Sequence, residues 1–379
     1  MINYGRQFID KADVNAVVRT LKSDFLTQGE EVLKFEENLS KYFKSKYVTV
    51  VNSGTSALYL TIKSLKLKKN SKILTTPITF AASAASIIYN NHIPILCDIN
   101  LEDYTLDLNL VEKNIKKNNV KCVIAVDYAG HPCDWNGLNS LKKKYGIILI
   151  NDNCHAIGSK IDNDIGYSSK YADVTTHSYH PVKNLTTGEG GAILTNNFLI
   201  NQRVKLLRSH NIMRNERDKK EKGIWYYRIN QIGYNFRITD FQCSLGISQL
   251  KKLKRFINER RVLAKLYDNN FKKVENILFP KVKKKYFHSY HLYPLLINFG
   301  KFKINKKTFF NKLIKKGIKL QVHYVPLYKQ PFIKKFLEKN VLFPNSETFY
   351  NREVSLPIYY GLKIKQIKYI CKSIKDLLN

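Results

Sequence analysis

The sequence predicts an α/β fold, with a mostly parallel sheet in a large domain and a smaller α+β domain behind it. Two observations lead to this prediction. Short apolar runs alternate with longer helical patterns, and near residue 245 a long, basic, amphipathic helical segment begins. A length of 379 residues fits about two domains. We therefore expect a large domain over 1–249 and a small C-terminal domain over 250–379.

Seven apolar runs have the length and composition of strands. Most are continuously apolar, which is typical of strands buried on both faces of a sheet. The runs are 48–51, 73–76, 95–99, 122–126, 147–150, 173–179 and 192–195. Helical patterns lie between several of them, at 56–67, 80–90 and 138–145. This alternation favours a seven-stranded, mostly parallel sheet with helices on both faces.

The chain is strongly basic, with 64 Lys and Arg against 30 Asp and Glu and a net charge of +34. Such a field attracts anions, among them nucleic acid, acidic membranes and phosphorylated small molecules. The lysines are scattered, and no zinc-finger, helix-turn-helix or RNA-recognition signature accompanies them. We expect no nucleic-acid partner, and a basic nucleic-acid-binding protein remains a distant alternative.

Six dispersed cysteines form no CxxC pair, so we expect reduced thiols and no metal site. The most apolar stretch, 80–88, is nine residues long, whereas a membrane span needs about 20. The N-terminal MINYGRQFID shows no signal-peptide pattern. The sequence therefore predicts a cytoplasmic protein with no membrane partner.

The first motif that carries chemistry is 52-NSGTSAL-58, between a predicted strand and a predicted helix. Gly54 permits close approach of a ligand to the backbone, and Thr55 and Ser56 offer hydroxyl and N–H groups at a helix N-terminus. This arrangement can cradle a phosphate. An ordinary helix cap is the alternative reading.

Two further motifs follow buried strands. Asp152 lies just beyond a strand in 147-IILINDNCHAIGS-159, where parallel sheets build ligand sites, and His155 follows three residues later. In 177-HSYHPVKNLTTGEGGAILT-195, Lys183 lies in a glycine-rich loop after Ser178 and is a candidate Schiff-base lysine. A helix-capping role for Asp152 and an interior packing role for His155 stay open.

Together the three motifs contain the groups that pyridoxal 5'-phosphate requires. Thr55, Ser56 and Ser178 offer a phosphate cradle. Asp152 offers a carboxylate for a pyridinium nitrogen, and Lys183 offers an amine for the aldehyde. We therefore expect this cofactor.

From 26-LTQGE-30 to 321-QVHYVPLY-328, the sequence resembles the sugar aminotransferases of the DegT/DnrJ/EryC1/StrS family. This resemblance implies fold type I of the pyridoxal-phosphate-dependent transferases, the aspartate aminotransferase-like fold. The segments 178-SYHPVKNLTTGEGG-191, 208-RSHNI-212 and 233-GYNFRITDFQCSLGISQL-250 are most similar to the subgroup of the pseudaminic-acid pathway.

The resemblance implies roles for individual residues. Lys183 would hold the cofactor, Asp152 would pair with its pyridine nitrogen, and Phe80 would stack on its ring. The other implied cofactor contacts are Gly54, Thr55, Ser56, His155, Ser178 and Asn235. Asn235 would reach the cofactor phosphate of the neighbouring subunit, which implies a homodimer with shared active sites. A core-packing role for Phe80 stays open.

The resemblance also implies substrates. L-glutamate would be the amino donor, and UDP-2-acetamido-2,6-dideoxy-beta-L-arabino-hex-4-ulose, a nucleotide-linked 4-keto-6-deoxy sugar, would be the acceptor. The implied substrate contacts, partly from the N-terminal segment 1–25, are Tyr4, Asp24, Phe25, Leu26, Thr27, Arg237, Gln321, Val322, His323 and Tyr324. Strand and loop packing is the alternative for these residues. A same-family aminotransferase for another dTDP- or UDP-linked 3- or 4-keto sugar stays open. A dehydratase is disfavoured because position 183 is Lys.

Overall fold

The structure, a computed structural model, describes residues 1–338 and 341–379. The strands are β1 (Tyr47–Val51), β2 (Lys72–Thr75), β3 (Ile93–Leu96), β4 (Cys122–Val126), β5 (Ile148–Asp152), β6 (Lys160–Ile161), β7 (Val174–Ser178), β8 (Gly191–Thr195), β9 (Ile212–Met213), β10 (Arg228–Ile229), β11 (Ile277–Leu278), β12 (Tyr286–Phe287), β13 (Tyr293–Ile297) and β14 (Glu353–Leu356). The helices are α1 (Lys11–Leu21), α2 (Glu30–Phe43), α3 (Gly54–Ser64), α4 (Ala82–Tyr89), α5 (Leu108–Asn118), α6 (Trp135–Tyr145), α7 (Tyr167–Tyr171), α8 (Phe198–Arg208), α9 (Glu216–Lys222), α10 (Asp240–Phe271), α11 (Lys306–Lys315), α12 (Pro331–Lys334), α13 (Pro344–Arg352) and α14 (Ile364–Leu378).

The central sheet has seven strands in the order β1-β8-β7-β5-β4-β2-β3. From β7 to β3 all neighbours are parallel. Only β8 runs against its neighbours β1 and β7. Each strand overlaps one of the seven apolar runs in the sequence, although β3 begins two residues before the predicted run 95–99. The predicted mostly parallel α/β sheet is confirmed.

The sheet is buried on both faces because successive side chains of its central strands enter different cores. Val123 and Leu149 pack with Trp135 of α6 on one face. Ile124 and Ile150 pack against α3 on the other face. This two-sided burial explains why the strands read as continuously apolar runs rather than as alternating ones.

Helix α10 connects two apolar cores. Its first half contributes Leu250 and Leu253 to a core shared with β1 and β8. Its second half contributes Leu263 and Tyr267 to a core with β13 and β14, which belong to a three-stranded antiparallel sheet. The change of core thus lies within α10, a short distance after the predicted domain boundary at residue 249. That boundary stays a prediction.

Within residues 1–338 and 341–379, no helix combines the length and apolar character needed to cross a membrane. No group of three or more His, Cys, Asp or Glu side chains in these ranges is arranged to hold a metal ion. The six cysteines are free thiols. The cytoplasmic location stays a prediction.

Candidate active site

The carboxyl ends of β1, β5 and β7 lie at one edge of the central sheet, and each is followed by one of the three motifs. A cavity of about 680 Å³ opens at this edge, where open parallel sheets bind their ligands. The predicted site residues that line it are Tyr4, Gly54, Thr55, Phe80, Asp152, His155, Ser178, Lys183, Gln321, Val322, His323 and Tyr324. Positions far apart in the sequence therefore converge on one cavity.

The N-terminus of α3 forms the anion cradle. Ser53 caps the helix, since its Oγ accepts the backbone N–H of Ser56 at 3.1 Å. The N–H groups of Gly54 and Thr55 begin the helix and have no acceptor within it. A Cβ atom at Gly54 would lie 2.7 Å from the Ser178 Cβ, so glycine allows the Ser178 hydroxyl to close the cradle. These groups suit a phosphate.

Asp152 ends β5 and is buried, with 5% of its surface exposed. Its carboxylate accepts hydrogen bonds from Ser83 Oγ at 2.8 Å and from the Cys154 N–H at 3.3 Å. These are neutral donors. A buried carboxylate that faces a cavity without a bonded cation is suited to a ligand that brings a positive N–H group.

A second buried carboxylate, Asp127, supports the end of β5 from behind. Its Oδ2 accepts the side-chain N–H groups of Asn151 at 3.0 Å and Asn153 at 2.9 Å, and the Tyr167 hydroxyl at 2.7 Å. Its Oδ1 accepts the Cys133 N–H at 2.7 Å and the indole N–H of Trp135 at 2.9 Å. Two of the five donors belong to Asn151 and Asn153, the residues on either side of Asp152, so Asp127 fixes the end of β5.

Lys183 lies half-buried in the loop between β7 and β8. Burial lowers the pKa of its ammonium, while the negative charge of Asp152 acts in the opposite direction. A lowered pKa increases the fraction of neutral amine, which is the nucleophilic form. Lys183 thus has the environment of a lysine that reacts with an aldehyde.

A histidine and a tyrosine form another part of the cavity wall. His155 Nδ1 accepts the Ala129 N–H at 3.3 Å, and its Nε2 lies 3.0 Å from Tyr324 Oη. Burial holds the pKa of His155 well below its usual range, so the ring is neutral. Its one proton is therefore on Nε2 and is donated to Tyr324, whose own hydroxyl proton stays available to the cavity.

Several predicted residues do not line this cavity. The Ser56 hydroxyl donates to Asn52 at 2.5 Å behind the helix start. Arg237 donates to Ser209 Oγ at 3.0 Å and lines a separate cavity of about 210 Å³. Exposed positions outside the main cavity are Asp24, Phe25, Leu26, Thr27 and Asn235. Their contacts with ligands stay predictions.

Sequence reasoning missed Ser83, which donates to Asp152, and the buried His291, whose ring lies 4.6 Å from that of His155. Ser83 belongs to the run FAASAAS, which reads as an ordinary helix face. A serine in the first turn of the helix that follows β2 was the available signal. His291 had no local signal, because it reaches the cavity from the irregular segment just before β13.

The cavity thus holds a phosphate cradle, a buried carboxylate and a reactive lysine, and this set defines a pyridoxal-phosphate-dependent enzyme. Residues 7–375 match the sequence profile of the DegT/DnrJ/EryC1/StrS aminotransferase family, and the chain belongs to that family. The resemblance noted in the sequence is confirmed. The chain is a sugar aminotransferase, and its cofactor is pyridoxal 5'-phosphate.

Individual relatives agree with this assignment. The chain is 37% identical to the UDP-4-amino-4,6-dideoxy-N-acetyl-beta-L-altrosamine transaminase of Campylobacter jejuni, over 100% of this chain and 98% of the relative. The solved structure of Helicobacter pylori PseC, an aminotransferase involved in the biosynthesis of pseudoaminic acid, superposes with a TM-score of 0.92 at 32% identity, over 100% of this chain and 99% of the other. The pyridoxal phosphate form of the putative sugar aminotransferase Spr1654 of Streptococcus pneumoniae superposes with a TM-score of 0.89 at 26% identity, over 99% and 98% of the two chains.

Proposed function

We propose that this protein transfers the amino group of L-glutamate to the C4 keto group of UDP-2-acetamido-2,6-dideoxy-beta-L-arabino-hex-4-ulose. The product is a UDP-linked 4-amino sugar, an intermediate of pseudaminic acid biosynthesis. The observation that carries the proposal is the convergence of Lys183, Asp152 and the α3 cradle on one cavity. The name of the Campylobacter jejuni relative supports the choice of sugar.

The residues present fit pyridoxal 5'-phosphate. The N–H groups of Gly54 and Thr55 and the hydroxyl of Ser178 would hold its phosphate. Asp152 would hold the pyridine nitrogen in its protonated form, and Lys183 would bind the aldehyde carbon. When bound, the cofactor supplies an electron sink for the bond that breaks at the amino carbon.

The protein's own groups perform the proton transfers. The Lys183 amine, once displaced by the amino donor, takes the proton from the donor α-carbon, because burial favours its neutral form. Tyr324 directs its hydroxyl proton toward the cavity, where a carboxylate or keto oxygen can accept it. In the second half-reaction the same groups return protons to the sugar. The amino donor leaves as its keto acid and the keto sugar leaves as an amino sugar.

A homodimer with shared sites is part of this proposal. Strands β9 and β10 pair into an arm that carries exposed apolar side chains, with Ile224 at 81%, Trp225 at 74% and Ile232 at 83% exposure. Such a patch is typical of a protein contact. Asn235 lies just after this arm and is exposed. We infer that the arm packs on a second copy and brings Asn235 to that copy's cradle.

The substrate assignment is tested by incubating the purified protein, supplied with pyridoxal 5'-phosphate, with L-glutamate and a panel of UDP- and dTDP-linked keto sugars. Products are identified by mass spectrometry and NMR. We expect a UDP-linked 4-amino sugar. Turnover of only a dTDP-linked or 3-keto sugar would contradict the substrate assignment while leaving the aminotransferase assignment intact.

Shared sites are tested by mixing two inactive variants, Lys183→Ala and Asn235→Asp, after partial denaturation and refolding. A mixed dimer contains one site with both native residues, so activity is expected to return. Mixtures that stay inactive, although mixed dimers are detected by native mass spectrometry, would contradict the proposal.

A further inference from the structure

Behind the cavity wall, three buried side chains form a hydrogen-bonded chain that the proposed function does not use. Ser355 Oγ lies 2.5 Å from Glu353 Oε1 and 2.8 Å from His323 Nδ1. Glu353 Oε2 accepts the backbone N–H of His323 at 3.1 Å. Glu353 and Ser355 are fully buried, and His323 lines the cavity. A carboxyl group inside the fold is thus linked through one hydroxyl to an imidazole at the site.

This chain allows one arrangement of protons for each charge state of Glu353. When Glu353 is ionised, it accepts a hydrogen bond from the Ser355 hydroxyl. The Ser355 oxygen must then accept a hydrogen bond from an N–H group at His323 Nδ1. When Glu353 is protonated, its proton lies on Oε1, because Oε2 already accepts an N–H group. The Ser355 oxygen then accepts a hydrogen bond from the protonated Oε1, and the Ser355 hydroxyl donates a hydrogen bond to His323 Nδ1.

We propose that Glu353 is a positioning residue that acts through Ser355 to decide which tautomer of His323 faces the cavity. With Glu353 protonated, His323 presents an Nε2–H donor. With Glu353 ionised, His323 presents an Nε2 lone pair. The ring stays in the same place, and only its hydrogen-bonding character changes.

The electrostatics of the three groups agree with this proposal. Burial, with a contribution from Lys183, lowers the pKa of His323 to about 3, so the ring is neutral at working pH and its tautomer is well defined. Burial raises the pKa of the Glu353 carboxyl, which brings its ionisation closer to neutral pH. A buried carboxyl with few donors is the usual case for such a rise.

Other titratable groups face Glu353 from the elements around it. Lys306 of α11 lowers the pKa of Glu353 through its charge, and its ammonium donates to the Tyr350 carbonyl at 2.5 Å. The phenols whose pKa values the charge of Glu353 raises are Tyr104, Tyr128 and Tyr324. Burial keeps all three phenols neutral, so Lys306 is the group that shifts the ionisation of Glu353.

The consequence for catalysis rests on the proposed function. The keto oxygen of the sugar accepts a hydrogen bond from Nε2–H but is repelled by an Nε2 lone pair, because a keto oxygen has no proton to donate. Binding of the keto sugar should therefore weaken as pH rises and Glu353 ionises. One hydrogen bond of this kind corresponds to about a tenfold change in kcat/KM.

The tautomer can be measured directly by long-range ¹H–¹⁵N NMR on holoenzyme labelled with ¹⁵N-histidine, without sugar. The chain has nine histidines, and the His323 signals are those that vanish in His323→Asn. From about pH 6 to about pH 9, we expect the proton of wild-type His323 to move from Nε2 to Nδ1. The ¹⁵N shifts of the protonated and the unprotonated nitrogen should therefore change places. A single tautomer over the whole range would overturn the proposal.

Glu353→Gln provides the decisive variant. The His323 backbone N–H keeps the amide oxygen at the Oε2 position, so the amide NH₂ faces Ser355 and mimics the protonated acid. This variant should show the Nε2–H tautomer at every pH. Ser355→Ala should remove the pH dependence by breaking the chain. Exposed Glu275→Gln is the matched control and should titrate as wild type. A Glu353→Gln protein that titrates like wild type would overturn the proposal.

The remaining histidine signals report whether each variant is folded. Lys306→Met removes the charge that favours ionised Glu353, so the midpoint of the tautomer change should move to higher pH. The pH profile of kcat/KM for the keto sugar should lose its high-pH fall in Glu353→Gln. Because the NMR readout needs no sugar, a wrong substrate assignment would abolish the kinetic readout and leave the tautomer change measurable.

Discussion

Two buried carboxyl groups bond to residues at or beside the cavity lining, and they differ in how many hydrogen-bond donors they have. Asp127, behind the end of β5, accepts five hydrogen bonds from Asn151, Asn153, Tyr167, Cys133 and Trp135. Glu353, in β14, accepts two, from the Ser355 hydroxyl and the His323 backbone. Burial raises the pKa of both groups, and four hydrogen bonds, from Cys133, Tyr167, Trp135 and Asn151, act against that rise at Asp127.

The difference separates two tasks. Asp127 has donors on both oxygens and no place for a proton, so it holds the floor of the site in one geometry. At Glu353, Oε1 is bonded to the Ser355 hydroxyl, which can either donate or accept a hydrogen bond. Glu353 can therefore gain or lose a proton without a change in packing. The cofactor side of the cavity is therefore rigid, and the wall from the C-terminal part of the chain is adjustable.

The largest effect is expected on the rigid side. Lys183→Ala should lower turnover by at least about 10²–10⁴-fold, since it removes the group that transfers the proton. Lys183→Arg should be equally inactive, because it keeps a positive charge but cannot bind an aldehyde. Steady-state rates and the visible absorbance of the bound cofactor measure both. Exposed Lys170→Ala is the matched control, and activity in Lys183→Arg would contradict this role.

Asp127→Asn is expected to destabilise the fold by about 3 kcal/mol, because an amide N–H would face donors where the carboxylate accepts them. The free energy of unfolding from urea denaturation measures this change. Trp135→Phe removes one neutral donor and keeps the carboxylate, so it should cost less. An Asp127→Asn protein as stable as wild type would show that the two carboxyl groups do not differ.

The pH dependence of stability should be smaller and should come from Glu353. Its folded-state pKa is raised, so the folded protein keeps a proton that the unfolded chain has lost. The free energy of unfolding therefore falls as pH rises from the ordinary carboxyl pKa to the raised one, by up to about 1.4 kcal/mol per pH unit. Glu353→Gln should show a shallower fall in urea titrations over this window. Equal slopes in the two proteins would contradict the raised pKa.

Ser83→Ala should have the smallest effect, about 1 kcal/mol, because it removes one hydrogen bond to Asp152. We expect an approximately fivefold weaker affinity for pyridoxal 5'-phosphate, measured by titrating the apoenzyme with the cofactor. Ser86→Ala, on the same helix and bonded only to a backbone carbonyl, is the control. Equal affinities in the two variants would remove Ser83 from the site.

Much of the fold followed from local patterns. All seven strands of the central sheet were predictable, because strands buried on both faces are continuously apolar. Short pairs such as β6 with β12 were not, because two residues paired across a long separation leave no periodic signal. Helix α3 begins at Gly54, two residues before the predicted helical pattern at 56–67, because Ser53 caps it.

The site residues likewise fall into those with a local sequence signal and those without one. Asp152, Lys183 and Ser178 were predictable because each stands beside a strand end. Asp127 and Glu353 were not, because their roles depend on donors from distant segments. Asp127 draws on residues after β4, on β5 and on α7. Ser56 was expected in the cradle, but its hydroxyl is bonded to Asn52.

The bond between Lys183 and the cofactor is the central claim, and one measurement tests it directly. The holoenzyme is reduced with borohydride, digested and sequenced by mass spectrometry, which locates the pyridoxyl group on one side chain. We expect the group on the peptide that contains Lys183 and on no other lysine. A pyridoxyl group on another lysine, or none on a protein with bound cofactor, would contradict the assignment.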